Sequence, residues 1–177
     1  ELFEAVLDRP DTVLPRLEGP FVLCAVDWSD ERFVLAQDKI GTRPCYYTTD
    51  GEFLFASELK ALVPQFPSPE LNLQAASDLL LMGYMWGDKT LVEGIRSLRP
   101  ATYLECVEGD YTTTRYWKPS YEEADPGDPY LYELLKRTER SIDRVAGTLS
   151  GSAGLWLSGG IDSRVTACAL RRSLDRR

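Results

Sequence analysis

Phe21 to Val26 (FVLCAV), Asp27 to Glu31 (DWSDE) and Arg32 to Gln37 (RFVLAQ) decide how the chain folds. Two apolar runs rich in β-branched and aromatic residues flank a short polar segment. That pattern reads as a pair of antiparallel strands joined by a turn. The first strand is apolar at most positions on both faces.

Downstream, Asp38 to Pro44 reads as an irregular link. Here Gly41 suits a backbone position with positive φ, Pro44 fixes the path into the next strand, and Asp38 and Arg43 are placed to pair across the loop. Cys45 to Thr48 and Glu52 to Ala56 flank Asp50-Gly51, a two-residue hairpin signal. Ser57 and Glu58 open a helix, Glu58 to Val63, that Pro64 is expected to stop. A proline-rich stretch, Pro64 to Glu70, leads to Asn72, the expected cap of a helix running to Met82 and ended by Gly83. Leu73, Ala76, Leu79 and Leu80 share one apolar face of it. Thr102 to Val107 and Tyr111 to Trp117 form a further hairpin around Glu108-Gly109-Asp110. Lys118 to Pro129, with its prolines and acidic residues, reads as an interdomain linker. Asp128-Pro129 then supplies an N-cap and first-turn proline to a helix whose apolar stripe is Leu131, Leu134, Leu135, Ile142, Val145 and Leu149. Lys136, Arg137, Arg140 and Arg144 lie off the stripe, on a solvated face.

The end of the chain carries the clearest chemistry. Leu155-Trp156-Leu157 is a short apolar run, predicted as a strand. Ser158-Gly159-Gly160-Ile161-Asp162-Ser163 follows as a turn, and Val165 to Leu170 as helix. A strand, a glycine-rich turn and a helix start put backbone N–H groups and the positive end of a helix around an anion. The glycines let the backbone turn and approach a ligand that a Cβ would push away. Ser158 and Ser163 add hydroxyls. A carboxylate repels bare phosphate, so Asp162 makes sense if Mg²⁺ sits between them. The loop has no lysine and matches neither of the common phosphate-loop fingerprints.

Composition narrows the field. The chain has 177 residues, 44% hydrophobic, with net charge −8. Acidity argues against a nucleic-acid surface, and no apolar run reaches the length of a membrane span. There is no histidine, which excludes Ser-His-Asp and Cys-His catalysis and histidine-bound zinc within these residues. Cys24, Cys45, Cys106 and Cys168 are far apart, without a C-x-x-C pair. Three of them read as core filler, and a reducing cytoplasm is expected.

Leu157 to Ser163, LSGGIDS, resembles the pyrophosphate loop of the ATP pyrophosphatase superfamily. The resemblance implies that Leu157, Ser158, Gly159, Gly160, Asp162 and Ser163 hold the β- and γ-phosphates of ATP, with Asp162 a ligand of Mg²⁺. Leu17 to Phe21, Gln37 to Tyr47 and Phe55 to Leu62 (FASELKAL) resemble the glutaminase half of class II amidotransferases, specifically the asparagine synthetase family. Gly83-Tyr84, Thr90 to Ile95 and Arg115 to Trp117 continue the match in order. The implied fold is α+β: a partial αββα N-terminal-nucleophile domain with antiparallel sheets over residues 1–119, a linker over 120–129, and over 130–177 the first strand–loop–helix unit of an α/β ATP pyrophosphatase domain.

The implied parent is a glutamine-using, ATP-dependent carbon–nitrogen ligase of amino-acid biosynthesis that adenylates a carboxylate and forms an amide. ATP and Mg²⁺ are its cofactors. Its partners are ATP, glutamine-derived ammonia and a carboxylate such as aspartate, with no nucleic acid, no membrane and room for a homodimer. The chain departs from the family in several places. Residue 1 is Glu where the family's nucleophile is an N-terminal Cys, so no catalytic residue is assigned here and the chain alone is expected to be inactive. Arg99-Pro100-Ala101 stands where the family usually has Pro-Pro-Gly. Arg164 stands where asparagine synthetases usually carry serine, which weakens the assignment of aspartate and leaves open another carboxylate, of β-lactam- or peptide-cyclising type; two further alternatives are a scaffold glutaminase domain that has lost its nucleophile and a non-catalytic binding module.

Overall fold

The computed structural model describes residues 1–107, 109–121 and 127–175, and the backbone alone of Asp128. Glu108 of the expected turn and 122–126 of the expected linker lie outside them. The chain divides into two compact units, Glu1–Ser120 and Tyr121–Arg177.

The first unit opens with α1 (Leu2–Asp8), α2 (Pro10–Val13) and a 3₁₀ turn, Leu14–Arg16. The sequence reading assigns nothing here, because two helical turns are too short for a period to be counted. Then β1 (Val22–Asp27) and β2 (Arg32–Gln37) pair antiparallel, Val22 opposite Gln37 and Asp27 opposite Arg32. Ser29 N donates to Asp27 Oδ1 at 2.8 Å, so the aspartate side chain shapes the turn. Next come β3 (Tyr46–Thr48) and β4 (Leu54–Ala56). Thr48 pairs with Leu54, so five residues connect these strands and the expected two-residue hairpin is not formed. Thr48 Oγ1 accepts from Asp50 N, and Gly51 takes φ +83° at the tip.

The helix expected over Glu58 to Val63 is α3 (Leu59–Leu62). It runs on as a 3₁₀ turn, Val63–Gln65, with Pro64 inside. Proline cannot donate, but the first turn of a helix needs no donor there, so Pro64 redirects the chain without stopping it. α4 (Leu73–Met82) has the predicted ends: Asn72 Oδ1 accepts from Ala75 N at 2.8 Å, and Gly83 adopts φ +79°. Its apolar face is not the buried one. Leu73 and Leu80 are 74% and 86% exposed, and the buried residue is Ala75. β5 (Arg96–Ser97), β6 (Thr102–Val107) and β7 (Asp110–Arg115) complete the unit. Two residues of β5 carry no readable pattern.

Both sheets are antiparallel, in the orders β1-β2-β6-β7 and β4-β3-β5. Strand alternation sends Ala25, Val34, Ala36 and Tyr103 to one face of the first sheet, where Val6 of α1 and Leu14 pack on them. Leu35 and Leu104 point the other way and meet Cys45, Tyr47 and Leu98 of the second sheet. Thr48, opposite in direction to Tyr47 and buried, faces away from the first sheet, and α3 lies against β3 and β4. The layers therefore run helix, sheet, sheet, helix, an α+β arrangement. Each fully buried leucine between the sheets contributes about 2 kcal/mol.

In the second unit, α5 (Asp128–Thr148) begins one residue earlier than expected, with Gly127 at the cap position and Asp128 and Pro129 in the first turn. α6 spans Ile161–Asp175 and packs on α5, with Ala146 buried and Arg172 3.8 Å from Glu139. The expected stripe on α5 is largely exposed: Leu131, Leu134, Leu135, Val145 and Leu149 all face solvent. Leu155 to Leu157 does not form the expected strand, and Trp156 is 97% exposed. A strand needs a neighbour to take its N–H and C=O groups, and no strand among the described residues lies in this unit.

Candidate functional site

Ser158 to Ser163 forms a closed loop at the start of α6. Ser158 N donates to Ser163 Oγ at 3.2 Å, and the two hydroxyls lie 3.0 Å apart. Gly160 N donates to Ser158 Oγ at 3.2 Å. The single hydroxyl proton of Ser163 has Ser158 O and Gly160 O, both at 3.1 Å, as acceptors. The serines thus clasp the loop through each other, where the sequence suggested two separate donors at its ends.

Neither Gly159 nor Gly160 takes a positive φ, so the turn does not need glycine for its backbone angles. Space is the reason left. Nothing stands within 4 Å of a Cβ built on Gly159, and only Ser158 Oγ, at 3.3 Å, on Gly160. This face of the loop is open, and side chains here would block close approach to the backbone. The first-turn N–H groups of Ile161, Asp162 and Ser163 have no acceptor inside α6, and the helix dipole points its positive end at the same place. Asp162 is exposed in that first turn. Among the described residues no group of three or more Cys, Asp or Glu side chains is placed to hold a metal, so Asp162 stands as a single carboxylate in the first turn. Arg164 Nε donates to Gly160 O at 3.4 Å, a brace the sequence reading did not foresee. Leu157 precedes the clasp, exposed.

The second motif region is a knot around Asp38, 2% exposed. Its carboxylate accepts from Phe21 N (3.2 Å), Ile40 N (3.1 Å), Thr42 N (3.1 Å) and Thr42 Oγ1 (3.1 Å). Burial pushes this carboxyl up, but the hydrogen bonds from Thr42, Ile40 and Phe21 outweigh it and hold it below its ordinary value. The expected partner, Arg43, is not among these groups. Its side chain is exposed, and its carbonyl accepts from Gln37 Nε2. Backbone N–H groups reach a short aspartate in a tight loop without ordering a long side chain, so they win. Asp38 O also receives Gly41 N and Ala101 N, and Tyr116 Oη donates to Gln37 O at 2.7 Å. Gly41 has φ +67°, as expected, and a Cβ there would meet Pro100 Cγ at 2.8 Å. Ala101 sits at φ +55°, where the resemblance calls for glycine. Glu58 and Lys60 form an exposed pair at 2.6 Å. No helix among the described residues is long and apolar enough to cross a membrane.

The family model described as "Glutamine amidotransferase domain" matches residues 2–117, which is nearly all of the first unit. "Asparagine synthetase [glutamine-hydrolyzing] 3" of Bacillus subtilis is 26% identical over 95% of this chain and 28% of its own length. "Amidase chry2" of Gibberella zeae is 26% identical over 87% of this chain and 23% of its own. A solved structure, a glutamine phosphoribosylpyrophosphate amidotransferase from B. subtilis, overlays on 95% of this chain and 33% of that one, with TM-score 0.41 and 14% identity. The chain spans about a quarter of the length of the curated relatives it matches. The span of the matching model settles the family: this chain belongs to the glutamine amidotransferase domain family, and over most of its length it is similar to asparagine synthetases.

Proposed function

We propose that the chain is part of a glutamine-using, ATP-dependent ligase in which ammonia from the amidotransferase domain meets a carboxylate activated by adenylation. The observation that carries this reading is the clasped loop, Ser158 to Ser163, following an amidotransferase domain. Under this reading, residues 1–119 are the later part of the glutaminase domain, 120–129 its linker, and 130–177 the start of the synthetase domain.

The loop supplies amides and hydroxyls for the β- and γ-phosphates of ATP, and its open glycine face lets the backbone come close. The donors fit Mg²⁺, which is usually held by one or two carboxylates with phosphate oxygens completing its shell. Asp162 would hold the ion, which when bound neutralises the phosphate charge. Ser158 and Ser163, by bonding each other, keep the first-turn amides of α6 turned outward. The clasp places no demand on the acceptor, and one relative is named an amidase. A carboxylate other than aspartate therefore remains a second reading, with Arg164 bracing the loop from the position where serine is usual.

The test is ATP–pyrophosphate exchange in the full-length protein. Asp162→Ala should lose exchange about a hundredfold or more, as for removal of one charge-stabilising contact. Its thermal unfolding should be unchanged, because an exposed carboxylate contributes little to folding. Near-normal exchange in Asp162→Ala would remove that residue from the metal site.

A further inference from the structure

The first unit contains a cavity of about 600 Å³ walled by the loop after α4, β5 and the β6–β7 hairpin. That volume is in the range of small-molecule sites. Tyr47 and Leu98 are its buried floor, and Trp86, Asp88, Arg99 and Arg115 stand around it. Asp88 is shared: Arg99 Nη2 lies 3.3 Å from Oδ1 and Arg96 Nη1 3.6 Å from Oδ2. One carboxylate against two guanidinium groups leaves a positive excess. Arg115 adds to it, since no acidic side chain among the described residues pairs with it; its Nε donates to Trp117 O at 3.0 Å. This is a cationic pocket on a chain of net charge −8.

The cations are also seated. Gly87, at φ +86°, has no Cβ, and one built there would lie 3.1 Å from Arg99 Nη2. The guanidinium can therefore lie close against the backbone with Asp88 on one side. Trp86 is fixed at its backbone by Asp78 Oδ2, which accepts from its N–H at 3.1 Å, while its indole is 61% exposed beside the Tyr84 ring. An exposed indole lining the same cavity as two guanidinium groups suits a ligand with a planar ring and an anionic head: the ring stacks and the head takes charge-assisted hydrogen bonds.

We infer that this cavity binds a small aromatic anion, a ring bearing a phosphate or carboxylate, with the head on Arg99 and Arg115 and the ring on Trp86. Arg99 is one of the residues at which this chain departs from its family resemblance, so the site belongs to this chain and not to the shared motifs. It is separate from the Ser158 to Ser163 loop and does not depend on the function proposed for that loop.

Titration calorimetry on the full chain tests it, with phenyl phosphate, benzoate and inorganic phosphate as probes. Phenyl phosphate should bind saturably and more tightly than inorganic phosphate. The ranking of phenyl phosphate against benzoate identifies the preferred head. Arg99→Gln and Arg115→Gln should each weaken phenyl phosphate about tenfold or more, and Trp86→Ala should bring it down to the level of inorganic phosphate. Arg115→Lys, which keeps the charge and loses the fork, should fall between. Melting curves establish that each variant is folded, and Arg99→Gln serves as the independent test if loss of the Arg115–Trp117 bond unfolds the protein. Gly160→Val, which alters the other anion-binding candidate, should bind phenyl phosphate as before. The inference is overturned by absence of saturable binding of the aromatic probes, by unchanged binding in both folded arginine variants, or by loss of binding in Gly160→Val.

Discussion

Asp38 shows how one short side chain organises a region that the motif alone describes only as conspicuous. It joins the approach to β1, the end of β2 and the link to β3, and its carbonyl also holds the approach to β6. Its carboxyl is held below the ordinary value of 3.8. A lowered folded pKa means that the charged form contributes stability in full well above 3.8, and that this contribution is lost as the pH falls below it through the folded value. Asp38→Asn should therefore destabilise by about 2 kcal/mol at neutral pH, through loss of hydrogen bonds to a charged acceptor. The gap to the parent should narrow on acidification, and urea denaturation at neutral pH and below 3.8 measures both. At this scale the sequence was legible where a residue's chemistry is local. Gly41 was expected at positive φ and is there. The Asp38–Arg43 pair was not legible, because the sequence shows two opposite charges but not the three backbone N–H groups folded around one of them.

Capping was similarly legible for α4, whose two ends are fixed by residues that announce themselves, Asn72 and Gly83. Asn72→Ala should cost about 1 kcal/mol by leaving Ala75 N without its acceptor. Gly83→Ala should cost a similar amount, roughly 1 kcal/mol, through the backbone alone, since nothing stands within 4 Å of the added Cβ. The sites are far apart along the helix, so chemical denaturation of the double variant should show the sum; a markedly smaller loss would mean the helix frays before the domain unfolds. The buried face of α4 was not legible. Apolar spacing marks a stripe, but the neighbours decide which face packs. Residues 70–72 are tied to 91–93 by Asn72 N to Leu91 O and Glu93 N to Glu70 O, and the residue buried one helical turn on is the small Ala75 while the leucines stay outside. The run Leu155 to Leu157 failed for a related reason: strand propensity is a statement about a partner, and the partner is not supplied by the residues that carry the propensity.

As a whole, the molecule joins a first unit with apolar residues buried on both faces of its central sheet to a second unit of two helices and an open loop. The α+β class, the pairing of β1 with β2, β3 with β4 and β6 with β7, and the family were readable because turns and ordered motifs are local. The layering of the two sheets came from the αββα resemblance and not from the strand patterns themselves, and the Arg99–Arg115–Trp86 cavity was not readable at all, because both arise only when distant segments meet. This division also sorts the four thiols. Cys45 and Cys106 are buried and Cys24 is half-buried, all in the first unit, while Cys168 is exposed on α6. Burial pushes the Cys45 thiol up to about 11 and raises that of Cys24 as well. At neutral pH the reactive thiolate of Cys45 is then only about one part in ten thousand. A maleimide reagent should accordingly attach one label quickly, at Cys168, and reach the other three only on unfolding, with peptide mapping to locate it. The unaltered chain thus offers a single chemical handle, on the same helix that opens with the Ser158 to Ser163 loop, where a spectroscopic probe can be placed to follow occupancy of that loop without engineering a cysteine.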